Sequence, residues 1–210
     1  MKLFLFAVPL AFFCLVQGFS DDPQHREKAE GSWANAAIYS NDPKVQKHME
    51  KMKMLKVDVT FEGEDVVVET RIPTPHGCRS FKMVFKRGED GKYYHKCKFG
   101  EHKVEVIETD GQTYAIVDVI TTRDGQTYQT STLYVRDAES QPIGLLERFQ
   151  QRSENRGFTP EQIKIFPKEM ACQDEAVSIP NSGLSGWTFP ILGNLRSILL
   201  DISHFGKCQV

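Results

Sequence analysis

Gly31-Ser32-Trp33 stands shortly after an apolar leader and ahead of a long series of strand-like patterns, and the chain is organised around it. Gly31 lets the backbone turn tightly without a Cβ, and Trp33 is large enough to close the bottom of whatever the later strands enclose. On its own the triplet equally fits an ordinary core tryptophan. From Met54 onward the apolar period is two. Leu55, Val57, Val59 and Phe61 alternate with Lys56, Asp58 and Thr60, as in a strand with one buried face.

Working outward, Glu62-Gly63-Glu64-Asp65 reads as a tight turn and residues 66–72 as the next strand, interrupted by Pro73, Pro75 and Gly77. Phe81, Met83 and Phe85 alternate next, Glu89-Asp90-Gly91 turns, and residues 92–99 continue the pattern. Residues 103–108, 113–121 and 127–135 add strands joined at Thr109-Asp110-Gly111 and Arg123-Asp124-Gly125. About seven or eight antiparallel strands at regular spacing point to an all-β up-and-down barrel or a sandwich. Ser140 can cap a helix carrying Ile143, Leu146 and Phe149 on one stripe and ending before Gly157, with a short strand over 162–166 after it. A single late helix covering an outer face favours the barrel.

Before the strands, residues 1–20 carry Lys2, an apolar run from Leu3 to Val16, and the small residues Gly18 and Ser20, the order of an export signal. The mature chain is therefore expected to be secreted. Residues 21–30 are polar and read as a mobile arm, whereas Val45, His48, Met49 and Met52 fall at helical spacing. The 210 residues are expected to divide into this leader, one barrel domain over 21–175, and an atypical extension over 176–210 repeatedly broken by proline and glycine. The extension reads as flexible, with a short amphipathic helix around Ile198 and Phe205 as the competing reading.

A net charge of -2 offers no basic surface for phosphates, so no nucleic-acid partner is expected. No segment after the leader has the roughly 20 apolar residues that span a bilayer, so no stable membrane insertion is expected. Cys14 leaves with the leader, and Cys78, Cys97, Cys172 and Cys208 remain in an oxidising compartment where three pairings are open. Their spacing lacks the paired look of zinc ligands, so neither a metal nor another cofactor is expected.

Taken with the strand order, the chain resembles the lipocalin family over roughly residues 29–174. Gly31-Ser32-Trp33 matches the first family motif, Thr109-Asp110-Gly111 most of the second, and Arg136 after Leu133-Tyr134-Val135 the third. Ala34 and Gly111 depart from the aromatic residues usual at those places. The resemblance implies an eight-stranded antiparallel barrel with one C-terminal helix outside it. It also implies that Arg136 stacks on Trp33 at a closed end, and that Cys78 pairs with Cys172. Within the family the likeness is greatest to the avian extracellular fatty-acid-binding branch, through Glu50-Lys51-Met52-Lys53-Met54, Pro75-His76-Gly77-Cys78-Arg79 and Lys103-Val104-Glu105-Val106. The prostaglandin D synthase and lipocalin-15 branches share much of the pattern, including Gly157-Phe158-Thr159.

The family resemblance implies carriage of a small hydrophobic partner, a fatty acid or lysophospholipid-like lipid. Val57, Val59, Phe81, Met83, Phe85, Val104 and Val106 are the candidate lining, although the same periodicity fits a filled core. Tyr114, Tyr128, Thr132 and Tyr134 are expected to face inward as polar contacts, with His102 beside them. Two alternatives differ in chemistry. Capture of an anionic ferric siderophore needs buried cations, yet His102, Thr121 and Thr132 fall where the avian branch is basic. Prostaglandin isomerisation needs a thiolate, and Met54 falls at that place, so no enzyme activity is expected and no catalytic residue is assigned.

Overall fold

The computed structural model describes residues 23–74, 77–97, 100–139 and 142–172. The leader, the Ser140 cap, Cys208 and the 176–210 extension lie outside the described residues. Eight strands carry the wall: β1 (Gly31–Ser40), β2 (Lys56–Glu62), β3 (Asp65–Thr74), β4 (Gly77–Arg87), β5 (Tyr93–Cys97), β6 (Gly100–Thr109), β7 (Tyr114–Arg123) and β8 (Gln126–Val135). From β2 to β8 each strand pairs with the next, and β1 pairs antiparallel with both β8 and β2. This double pairing, with Trp33 opposite Val57 and Ile38 opposite Thr132, closes the sheet into a barrel and removes the two edges an open sheet would leave. A short β9 (Ile163–Ile165) adds to the second half of β1 from outside.

β1 holds the barrel and its cover together because it is buried on both faces. Ala34, Ala36, Ala37 and Tyr39 are all buried, and a bulge between Asn35 and Ala37 lets the backbone of Ala36 accept from Phe166. Tyr39 packs in tilted ring contacts against Phe149 and Phe158 at centroid distances of 5.0 and 4.5 Å, which seats helix α3 (Leu145–Asn155) on the outer wall. The buried stripe of that helix is Leu145, Phe149 and Ser153, at i, i+4 and i+8. The expected stripe through Ile143 is thus corrected. Gly144 takes a left-handed φ of 72°, the helix starts only after it, and Ile143 is left fully exposed.

The polar segment at 21–30 is also corrected from mobile arm to helix. Residues Pro23–Ala29 form a seven-residue helix, α1, whose end is fixed by other elements: Ala29 accepts from Trp33 Nε1 at 2.9 Å and Lys28 accepts from Arg136. A helix this short draws its order from such contacts and not from propensity. The second short helix, α2 (Pro43–Met49), starts at the N-cap Asp42, whose side chain accepts from Lys44 N at 2.8 Å. Cys78 on β4 is bonded to Cys172 beyond β9, with Cα atoms 6.0 Å apart.

Candidate functional site

A cavity of about 290 Å³ occupies the barrel interior, at the small end of the roughly 300–1,000 Å³ of ligand pockets. The residues across its wall are spaced by two along each strand: Val57, Val59 and Phe61 on β2, Met83 and Phe85 on β4, Val104 and Val106 on β6, Ala115, Val117 and Val119 on β7. Strand alternation puts these on the same side of the sheet, so the apolar face that the sequence shows on β2, β4 and β6 is the face that encloses the space.

One end is shut by Trp33, which is buried, with the Arg136 guanidinium 3.8 Å above its ring centroid. Arg136 donates from Nη1 to the Ser32 carbonyl at 3.2 Å and from Nη2 to the Lys28 carbonyl, so its side chain joins β1 to α1, while its backbone N–H donates to the Thr113 carbonyl of the β6–β7 turn at 2.9 Å. Gly31, at φ 99°, leaves room for it, since a Cβ there would lie 3.0 Å from Nη1. In the adjoining turn Asp110 accepts backbone N–H bonds from Gln112, Thr113 and Tyr114 at 2.9, 2.7 and 3.1 Å. Partial burial pushes its pKa up, but these bonds and that from the Thr113 hydroxyl outweigh it and hold the carboxyl at about 2. Gly111, at a left-handed φ of 74°, is part of the cavity floor.

At the end carrying α2 the wall turns polar. His95 and His102 are direct cross-strand partners on β5 and β6, and their rings lie 6.2 Å apart at 25°. His95 Nδ1 donates to the Val84 carbonyl at 2.8 Å, and His102 Nδ1 lies 3.0 Å from the Thr121 hydroxyl. Burial, then His95 and then Arg123, hold the His102 pKa below the ordinary imidazole value, with Asp42 opposing them. Above this collar Arg123 donates both Nη atoms to Asp42 at 3.3 and 3.1 Å, with side-chain exposures of 15 % and 7 %. The charge of the guanidinium is matched by the carboxylate that caps α2.

Of the residues expected to meet a ligand, Val57, Val59, Met83, Phe85, His102, Val104, Val106 and Tyr134 line the cavity. Tyr114 does not. On β7 the inward positions are odd-numbered, so Tyr114 faces out, where its hydroxyl donates to Glu108 at 2.9 Å and Arg148 lies 5.5 Å from its ring. Phe81, Tyr128 and Thr132 share the inward face through their partners Thr70, Thr121 and Val117, yet none is among the described lining residues. Tyr128 is held at the rim under Arg123, whose guanidinium lies 4.7 Å from its ring centroid, and Thr132 is buried in the wall. His95, Tyr93 and Thr70 line the space without having been singled out as ligand contacts. Thr70 lies two residues after Val68 on β3, Tyr93 is the cross-strand partner of Val104, and His95 lies two after Tyr93 opposite His102, and these relations are the signal that finds them.

Met54 is fully buried in the core outside the cavity, and no cysteine is among the described lining residues. Cys97 Sγ lies 4.0 Å from His102 Nε2 but is disulfide-bonded and so presents no thiolate. Among the described residues no group of His, Cys, Asp and Glu is placed to share a metal ion.

Residues 30–170 match the model of the lipocalin / cytosolic fatty-acid binding protein family. The extracellular fatty acid-binding protein of Gallus gallus is 30% identical over 181 residues, covering 84% of this chain and 100% of that one. The prostaglandin-H2 D-isomerase of Bos taurus is 36% identical over 75 residues, 35% of this chain and 39% of that one. Among solved structures, the siderocalin Ex-FABP, described as functioning through dual ligand specificities, superposes with a TM-score of 0.60 at 29% identity, covering 69% of this chain and 97% of that one.

Proposed function

This chain belongs to the lipocalin family, and on that premise we propose that it is a secreted, non-enzymatic carrier of a single-chain lipid of the fatty-acid or lysophospholipid type. The tail lies in the cavity and the head near the α2 end. The observation that carries this reading is the enclosed apolar space between the Trp33–Arg136 floor and the His95–His102 collar. About fifteen methylenes at ~0.8 kcal/mol each give a gross drive of roughly 12 kcal/mol, much of which association and ordering remove, leaving micromolar affinity.

Capture of an anionic iron complex is disfavoured by the wall, where no lysine or arginine is among the described lining residues and Arg123 is engaged by Asp42. Isomerase chemistry is disfavoured by the absence of a thiolate among those residues. Competitive fluorescence titration with fatty acids of increasing length, run beside a ferric siderophore, tests the reading. Affinity should rise with chain length and exceed that for the siderophore. Indifference to chain length would overturn it.

A further inference from the structure

The collar holds a group that a purely apolar cavity leaves unexplained. His95 is 8 % exposed and its ring is part of the cavity wall. Its Nδ1 lies 2.8 Å from the Val84 carbonyl oxygen. A carbonyl only accepts, so Nδ1 carries the hydrogen, and in the neutral imidazole Nε2 is left as a lone-pair acceptor. That Nε2 is buried and has no hydrogen-bond partner. Buried polar atoms are nearly always paired, so an orphan on a residue that lines a cavity marks a place where something other than the protein completes the bond, here once the collar side chains shift enough to uncover Nε2. The neighbours do not complete it. Phe85 packs on one side as a ring tilted by 54° at a centroid distance of 5.4 Å, and His102 directs its Nδ1 to Thr121.

The same end of the cavity gives an anion little to bind. No lysine or arginine is among the described lining residues, Arg123 is neutralised by Asp42, and His102 is held toward its neutral form by burial. An ionised carboxylate would therefore enter an apolar space without a partner cation. A hydroxyl brings the donor hydrogen that Nε2 lacks and brings no charge.

We propose that the His95–His102 pair is the head-group subsite of the cavity and selects a single-chain lipid whose head presents an uncharged hydroxyl donor over one ending in an ionised carboxylate. The inference rests on the lipid-carrier reading and narrows it. The hydroxyl hydrogen is given to His95 Nε2, and the hydroxyl oxygen keeps its own capacity to accept.

Monopalmitoylglycerol and palmitate, competed against one fluorescent lipid probe at neutral pH, test the selection. The glycerol ester should bind roughly 5- to 10-fold more tightly, the range one neutral hydrogen bond supplies. His95→Phe keeps a planar ring and removes the acceptor, so it should cut the preference for the glycerol ester by about the 5- to 10-fold that the Nε2 bond supplies, leaving only any share due to carboxylate desolvation, while the dependence on tail length survives. In the unaltered protein the nitrogen-15 resonance of His95 Nε2 should move on adding the glycerol ester and stay in place on adding palmitate. A preference for palmitate, a hydroxyl preference undiminished in His95→Phe, or an unmoved resonance overturns the proposal. Affinities indifferent to tail length overturn the lipid-carrier reading itself, and the subsite with it.

Discussion

At the scale of single residues, the closed end depends on one side chain that joins three pieces of chain. Arg136 stacks on Trp33 and donates to backbone carbonyls of Ser32 and Lys28, which lie on β1 and α1. Arg136→Ala removes a cation–π contact of about 0.5–2 kcal/mol together with those bonds, so a loss of roughly 2 kcal/mol is expected by urea unfolding. Lipid affinity should stay within a few-fold, because the guanidinium lies outside the apolar space. A collapse of affinity with unchanged stability would place Arg136 in the ligand site instead. Residues of this kind were legible through the family resemblance, which implied the Trp33–Arg136 stack and the Cys78–Cys172 pairing, whereas the residues alone left three cysteine pairings open. Tyr114 was not legible in the same way. Ile116 and Val117 are both apolar, so β7 carries no alternation to fix which parity faces inward, and the tyrosine was placed one face off.

Elements were readable from sequence in proportion to how differently their two faces are solvated. β2 separates Val57, Val59 and Phe61 from Lys56, Asp58 and Thr60, and its period shows plainly. β1 shows no period, because one face turns to the barrel interior and the other to α3, leaving buried residues at consecutive positions. Its first triplet announced it, whereas its extent came only with the fold. For α3 the sequence pattern put Ile143, Leu146 and Phe149 on the buried stripe, and the left-handed Gly144 decides that the stripe begins at Leu145 while Phe149 keeps its place in it. The decision is measurable. Phe149→Ala empties a fully buried site beneath Tyr39 and should cost about 3–5 kcal/mol, while Ile143→Ser should change stability by no more than about 0.5 kcal/mol. Comparable costs for the two substitutions in urea melts would show that the helix docks through the other stripe.

Over the whole molecule, the barrel is closed by hydrogen bonds, but the segment beyond it is held by a covalent link. Cys78 begins β4 and Cys172 follows the Met54–Met170 bridge, so the disulfide ties the chain after β9 back to the wall across 94 residues of sequence. A closed loop of that length removes enough freedom from the unfolded chain to stabilise the fold by about 4–5 kcal/mol in the chain-entropy account. A domain of this size shifts its melting temperature by roughly 2–4 °C per kcal/mol, which predicts a fall of about 10–20 °C on losing the bond. Reducing agent would also attack the disulfide at Cys97, so the test is the paired substitution Cys78→Ala with Cys172→Ala, followed by calorimetry. Neither cysteine is among the described residues lining the cavity, so lipid affinity measured well below the new melting temperature should be unchanged. If the melting temperature held while affinity fell, the bond would be shaping the cavity rather than constraining the unfolded chain. The two roles separate because the first acts on the ensemble before folding and the second only on the wall that the ligand touches.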